Sequence, residues 1–116
     1  METIMAGLAC GEPNTISWDI LRNHATAFVS CPDWVTARGM RTLGAPEKGD
    51  PRVISGESGA VTTGLVETLM LDPEYAELKE LIGLDKTSSV LCFSTEGDTD
   101  PDQYRRIVWE GEYPTC

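Results

Sequence analysis

Two short loops hold most of the residues that could do chemistry. The first, Ser55-Gly56-Glu57-Ser58-Gly59-Ala60, sets two glycines around a carboxylate and a hydroxyl. Its glycines allow tight turns and close approach of a ligand, and a helix starting there offers free N–H groups to an anion. Glu57 would repel a phosphate, however, and the lysine of a phosphate-binding P-loop is missing. Gly56 to Ala60 is also one residue short of the G-x-S-x-G elbow of serine hydrolases. That chemistry needs a histidine after the serine, and the lone histidine, His24, precedes Ser58.

The second loop, Ser94-Thr95-Glu96-Gly97-Asp98-Thr99-Asp100-Pro101-Asp102, spaces three aspartates as an EF-hand does. Its sixth position is Gln103 where glycine is required, and its twelfth is Trp109 where a bidentate glutamate belongs, so calcium binding by that motif is excluded. Carboxylates gathered at a helix N-terminus explain these acids. Cys10, Cys31, Cys92 and Cys116 show no C-x-x-C spacing and one histidine cannot complete a Cys/His set, so no metal site is expected and the thiols read as small apolar side chains.

The elements that must position these loops follow from the pattern. Ala27 to Cys31, Arg52 to Ser55 and Ser89 to Ser94 read as short strands, the last a continuous apolar run that implies cover on both faces. Helices are expected from Pro32-Asp33 to Leu43 with Gly44 as the stop, from about Ser58 to Leu71, and from Asp72-Pro73-Glu74 to Ile82 with Gly83 as the stop. A last helix opens at Asp100-Pro101-Asp102-Gln103, a cap with an N1 proline and a possible capping box, and turns Tyr104, Ile107 and Val108 inward. No element is assigned before Ala27. The alternation predicts an α/β fold in three layers, a short parallel sheet of about three strands flanked by helices. So small a sheet should leave strands unpaired, which points to a part of something larger.

Composition narrows the classes. The chain has 116 residues, 19 acidic against 9 basic, a net charge of −10 and eight aromatic residues. That is one domain's length. The acidic balance argues against nucleic acid and anionic membrane surfaces, and no apolar run is long enough to span a bilayer. The first ten residues lack a basic signal-peptide start, so a cytoplasmic location is expected.

Three stretches together, Thr3 to Pro13, Ser55 to Val61 and Phe93 to Asp100, resemble the C-terminal part of the diaminopropionate ammonia-lyase family, from Thr3 to about Tyr113 and in the family's order. These are pyridoxal-phosphate (PLP) enzymes of the tryptophan-synthase-β group, fold type II. The resemblance implies that residues 1–116 are a single partial domain, the C-terminal part of the PLP-binding catalytic domain. The activity implied is the elimination that converts 2,3-diaminopropionate to pyruvate and ammonia. By motif position Ser94 faces the pyridine nitrogen, Thr95 follows it, Glu57 and Ser58 lie beside the ring edge, and Met5, Ala6 and Gly7 line the substrate and cofactor face. No catalytic residue is expected here, because the Schiff-base lysine and the phosphate cradle belong to the family's N-terminal portion and Lys48, Lys79 and Lys86 match no part of the lysine motif. The partners implied are that N-terminal portion and, in the complete enzyme, a second copy. The contrasting expectation is a stand-alone acidic α/β module that binds a small ligand or a protein through the same two loops.

Overall fold

The computed structural model describes residues 2–115. Cys116, one of the four cysteines, lies outside them. The described residues form five α-helices and no strand: α1 (Thr15–His24), α2 (Asp33–Gly44), α3 (Glu57–Leu71), α4 (Ala76–Ile82) and α5 (Pro101–Val108), with short 3-10 turns at Ala6–Leu8 and Pro73–Tyr75.

The fold is organised by α2 against α3, which meet backbone to backbone. A methyl group on Gly39 would stand 2.2 Å from the Ala60 carbonyl oxygen, and one on Gly64 would stand 1.9 Å from that of Val35. Glycine is therefore required at both positions for this crossing. Alongside it, Ala37, Met40 and Ala60 are buried with Tyr104 and Ile107 of α5, and Ile4, Leu43, Val108 and Tyr113 close the edges. Two arginines on α2 finish the packing. Arg38 pairs with Asp72 at 2.9 Å and Glu67 at 3.4 Å, and the hydrogen bond to Asp72 raises its guanidinium still further. Arg41 donates to the carbonyls of Ile107, Glu112 and Tyr113, tying down the C-terminal end of α5.

Helix signals in the sequence largely hold. Asp100 accepts from the Gln103 N–H at 3.2 Å, Pro101 opens α5, and Gly83 ends α4 in the left-handed region at φ 84°. Two assignments change. The Asp72 side chain does not cap the turn that follows it, because its carboxylate is taken by Arg38. Gly44 lies inside α2 rather than stopping it, and a methyl group there would stand 2.7 Å from the Tyr104 hydroxyl. The unassigned N-terminal stretch contains a full helix, α1, whose N-cap Asn14 accepts from Ile16 and Ser17 N–H at 3.0 Å each.

The predicted three-layer α/β arrangement is overturned: among the described residues there is no parallel sheet. The three apolar segments at 27–31, 52–55 and 89–94 form no ladder with one another. Their large apolar side chains are uncovered, with Phe28 63%, Leu91 78% and Phe93 72% exposed. A strand is defined by its neighbours, and local β-propensity cannot supply a hydrogen-bonding partner.

Replacing Gly64 by alanine tests the crossing. In an unconstrained helix the change would gain about 0.5–1 kcal/mol, whereas overpacking costs about 1–3 kcal/mol or more. The clash should win, and thermal unfolding followed by circular dichroism should show a midpoint several degrees lower.

Candidate functional site

The N-terminal end of α3 is where the chemistry-bearing loops converge. Gly56 precedes the helix with extended backbone, and its N–H donates to the Glu96 carbonyl at 3.0 Å. The Glu96 carboxylate in turn accepts from the Ser58 N–H at 2.8 Å, satisfying one of the free donors of the first turn. Absent side chains make this approach possible. A methyl group on Gly59 would stand 2.7 Å from Ser55 Oγ and 3.0 Å from the Thr95 nitrogen, and one on Gly56 would stand 2.3 Å from the Gly97 carbonyl oxygen. The glycines of the first loop thus serve contact with the second loop.

Hydroxyls and carboxyls are gathered there in quantity. Ser94 Oγ lies 2.8 Å from Ser55 Oγ, and Ser55 is completely buried. Ser58 Oγ is buried without a hydrogen-bond partner, and a methyl group on Gly7 would stand 3.1 Å from it. Thr36 Oγ1 donates to the Glu57 carbonyl, fastening the start of α3 to α2. Glu57 is only 6% exposed. Burial pushes its carboxyl above the ordinary carboxylate range; its own backbone N–H pulls the other way, and the nearby charges of Glu96 and Asp100 add to the rise.

The remaining side of the site is the turn at Ala6–Leu8. Met5 is buried beneath it, while Ala6 and Gly7 are exposed. Asp33 at the start of α2 holds the segment leading into this turn, accepting from the Thr3 hydroxyl and from the Ile4 N–H at 3.4 Å, and Thr3 Oγ1 accepts from the Met5 N–H at 3.1 Å. Met5, Ala6, Gly7, Glu57, Ser58, Ser94 and Thr95 are all brought to one end of α3. Sequence reasoning placed Asp33 at the start of α2 and Ser55 and Glu96 in the two loops but named none of them as a site residue, because their parts depend on contacts between distant segments.

The site lacks a nucleophile with its base. His24 ends α1 and is exposed, Lys48 sits in the turn at 47–50, Lys79 on α4 and Lys86 just beyond it. No cluster of three or more metal-ligating side chains occurs among the described residues. Cys10, Cys31 and Cys92 are free thiols, and burial raises the pKa of Cys31. The arrangement can bind and orient a ligand through hydroxyls and a carboxyl held toward neutrality.

No protein-family model matches the chain. Among curated proteins it is 57% identical over 113 residues to diaminopropionate ammonia-lyase of Escherichia coli K12 and 53% identical over 112 residues to that of Salmonella typhimurium. The E. coli enzyme solved with an aminoacrylate-PLP azomethine reaction intermediate superposes with a TM-score of 0.91 at 56% identity, over 97% of this chain and 30% of that one. The chain is homologous to the C-terminal part of diaminopropionate ammonia-lyase. It spans 28% of the length of these curated relatives. The apo form of the E. coli ammonia-lyase also superposes, with a TM-score of 0.82 over 87% of this chain.

Homology to a diaminopropionate ammonia-lyase makes the state of Glu57 worth measuring. Because its pKa in the fold is raised above the ordinary 4.5, ionising Glu57 costs more in the folded chain than in the unfolded one. Its contribution to stability is complete below that ordinary value and is lost as pH rises through the raised one. Glu57→Gln should therefore unfold at a higher temperature than the parent chain at neutral pH. The advantage should vanish below about pH 4.5, as thermal scans across pH would record.

Proposed function

We propose that residues 1–116 supply the C-terminal part of the PLP-binding catalytic domain of a diaminopropionate ammonia-lyase. The reaction is the α,β-elimination of 2,3-diaminopropionate to pyruvate and ammonia. The observation that carries this reading is the coincidence of two facts: 57% identity over 97% of the chain, and the gathering of its three motif loops at one end of α3. The complete enzyme, in the same reading, is a cytoplasmic homodimer of fold type II. No helix among the described residues is long and apolar enough to cross a membrane.

The residues present fit one edge of the cofactor. Ser58 Oγ is a buried polar atom without a partner, a side chain on Gly7 would crowd it, and Ser94 lies exposed on the second loop. When bound, PLP supplies the electron sink for the elimination. Ser94 would hold the ring nitrogen. As a neutral hydroxyl it cannot stabilise a protonated ring nitrogen as a carboxylate would. Glu57, Ser58 and Thr95 would lie along the adjoining edge, and Met5, Ala6 and Gly7 would line the face open to substrate. Burial raises the Glu57 pKa, so its ionised form is less favoured beside the ring than that of a solvated carboxylate.

The uncovered apolar segments support the same reading. Phe28, Val29, Val53, Ile54, Val90 and Leu91 are exposed, and Met5, Phe28, Val29 and Leu65 line an open groove of about 750 Å³. Exposed apolar area on this scale marks a surface that another part of the enzyme covers.

Co-expression with the remaining N-terminal portion of the E. coli enzyme provides the test. The pair should release pyruvate from diaminopropionate, and this chain alone with PLP should give no borohydride-reducible visible band. Ser94→Asp in the pair should slow pyruvate release by roughly tenfold or more, a change of about 1.4 kcal/mol in the barrier. Failure of the pair to release pyruvate would overturn the proposed activity, and an unchanged rate in Ser94→Asp would remove Ser94 from its place at the ring.

A further inference from the structure

The Ser94 hydroxyl does not stand alone. Its oxygen lies 2.8 Å from Ser55 Oγ, and Ser55 Oγ has only one other contact, a long 3.3 Å hydrogen bond to the neighbouring Gly56 carbonyl oxygen. Ser55 is 0% exposed, so water cannot satisfy it, and Gly59 sits so close that a methyl group there would stand 2.7 Å from Ser55 Oγ. A buried hydroxyl with one weak backbone acceptor and one side-chain neighbour has its direction fixed by that neighbour.

On the reading given above, we propose that Ser55 is the positioning residue for Ser94, setting the direction of its hydroxyl and its strength as a hydrogen-bond donor. Either serine can donate across the 2.8 Å contact, because each hydroxyl hydrogen rotates about its C–O bond. With an acceptor such as a pyridine nitrogen in front of Ser94, the Ser94 proton turns outward. The Ser55 proton then swings from the Gly56 carbonyl to Ser94 Oγ. No bond is made or broken. Two hydroxyls pointing in one direction polarise each other, and Ser94 becomes a stronger donor than an isolated serine. Since the two residues are 39 positions apart, the pair also fixes the second loop to the start of α3.

The experiment uses the co-expressed pair of chains loaded with PLP carrying an NMR-active nitrogen in its ring. Ser55→Ala should move the ring-nitrogen resonance in the same direction as Ser94→Ala and weaken cofactor binding roughly fivefold, the scale of one neutral hydrogen bond. In a Ser94→Ala background, Ser55→Ala should then change the resonance no further, because a residue acting only through Ser94 has nothing left to act on. Should Ser55→Ala fail to assemble, Ser55→Cys keeps a weak donor and should give a smaller displacement in the same direction. A resonance unmoved by either substitution, or displacements that simply add in the double variant, would overturn the role of Ser55. If the unsubstituted pair binds no PLP, the fault lies instead with the proposed function.

Discussion

Everything else in this molecule depends on the backbone contact between α2 and α3. At Gly39 and Gly64 the helices approach so closely that no side chain fits between them. Because the two helices are locked at that point, Thr36 reaches the Glu57 carbonyl and Arg38 reaches Asp72 beyond the far end of α3. The start of α3 is thereby fixed, and the loops that converge on it have a rigid platform. Close packing of two glycines thus serves the site at a distance, since interiors packed at this density transmit displacement rather than absorb it.

The site itself is built from missing atoms as much as from present ones. Gly7, Gly56 and Gly59 each face a polar group of another segment at a distance that a methyl group would close. Glu96 caps the helix through its carboxylate and holds the Gly56 N–H through its carbonyl. Negative charge is thus placed at the positive end of α3 while Glu57 beside it is driven toward neutrality. The two carboxyls differ because Glu57 is buried, which raises its pKa, whereas Glu96 reaches from the second loop to a free N–H of the first turn.

Local signals were legible where their chemistry is local. Asp100 with Pro101, Gly83, and the apolar stripe of Tyr104 and Ile107 read correctly because capping and helical periodicity involve residues within a turn of one another. Asn14 carried an equally local signal for α1. The segments at 27–31, 52–55 and 89–94 carry β-forming residues but find no ladder partner among residues 2–115, and Asp72 was drawn from capping into an ion pair with Arg38, 34 positions away.

The sequence by itself determined the start of α5 and the end of α4, the acidic balance, the resemblance to one lyase family and the identity of the loops that gather. Only the tertiary structure decided that no sheet forms among the described residues, that Gly39 and Gly64 are the hinge of the packing, and that Ser55 stands behind Ser94. Caps and amphipathic stripes are written within a few consecutive residues. Strand pairing, backbone close approach and a hydroxyl held by another hydroxyl are relations between residues far apart, and they exist only once the chain has brought them together.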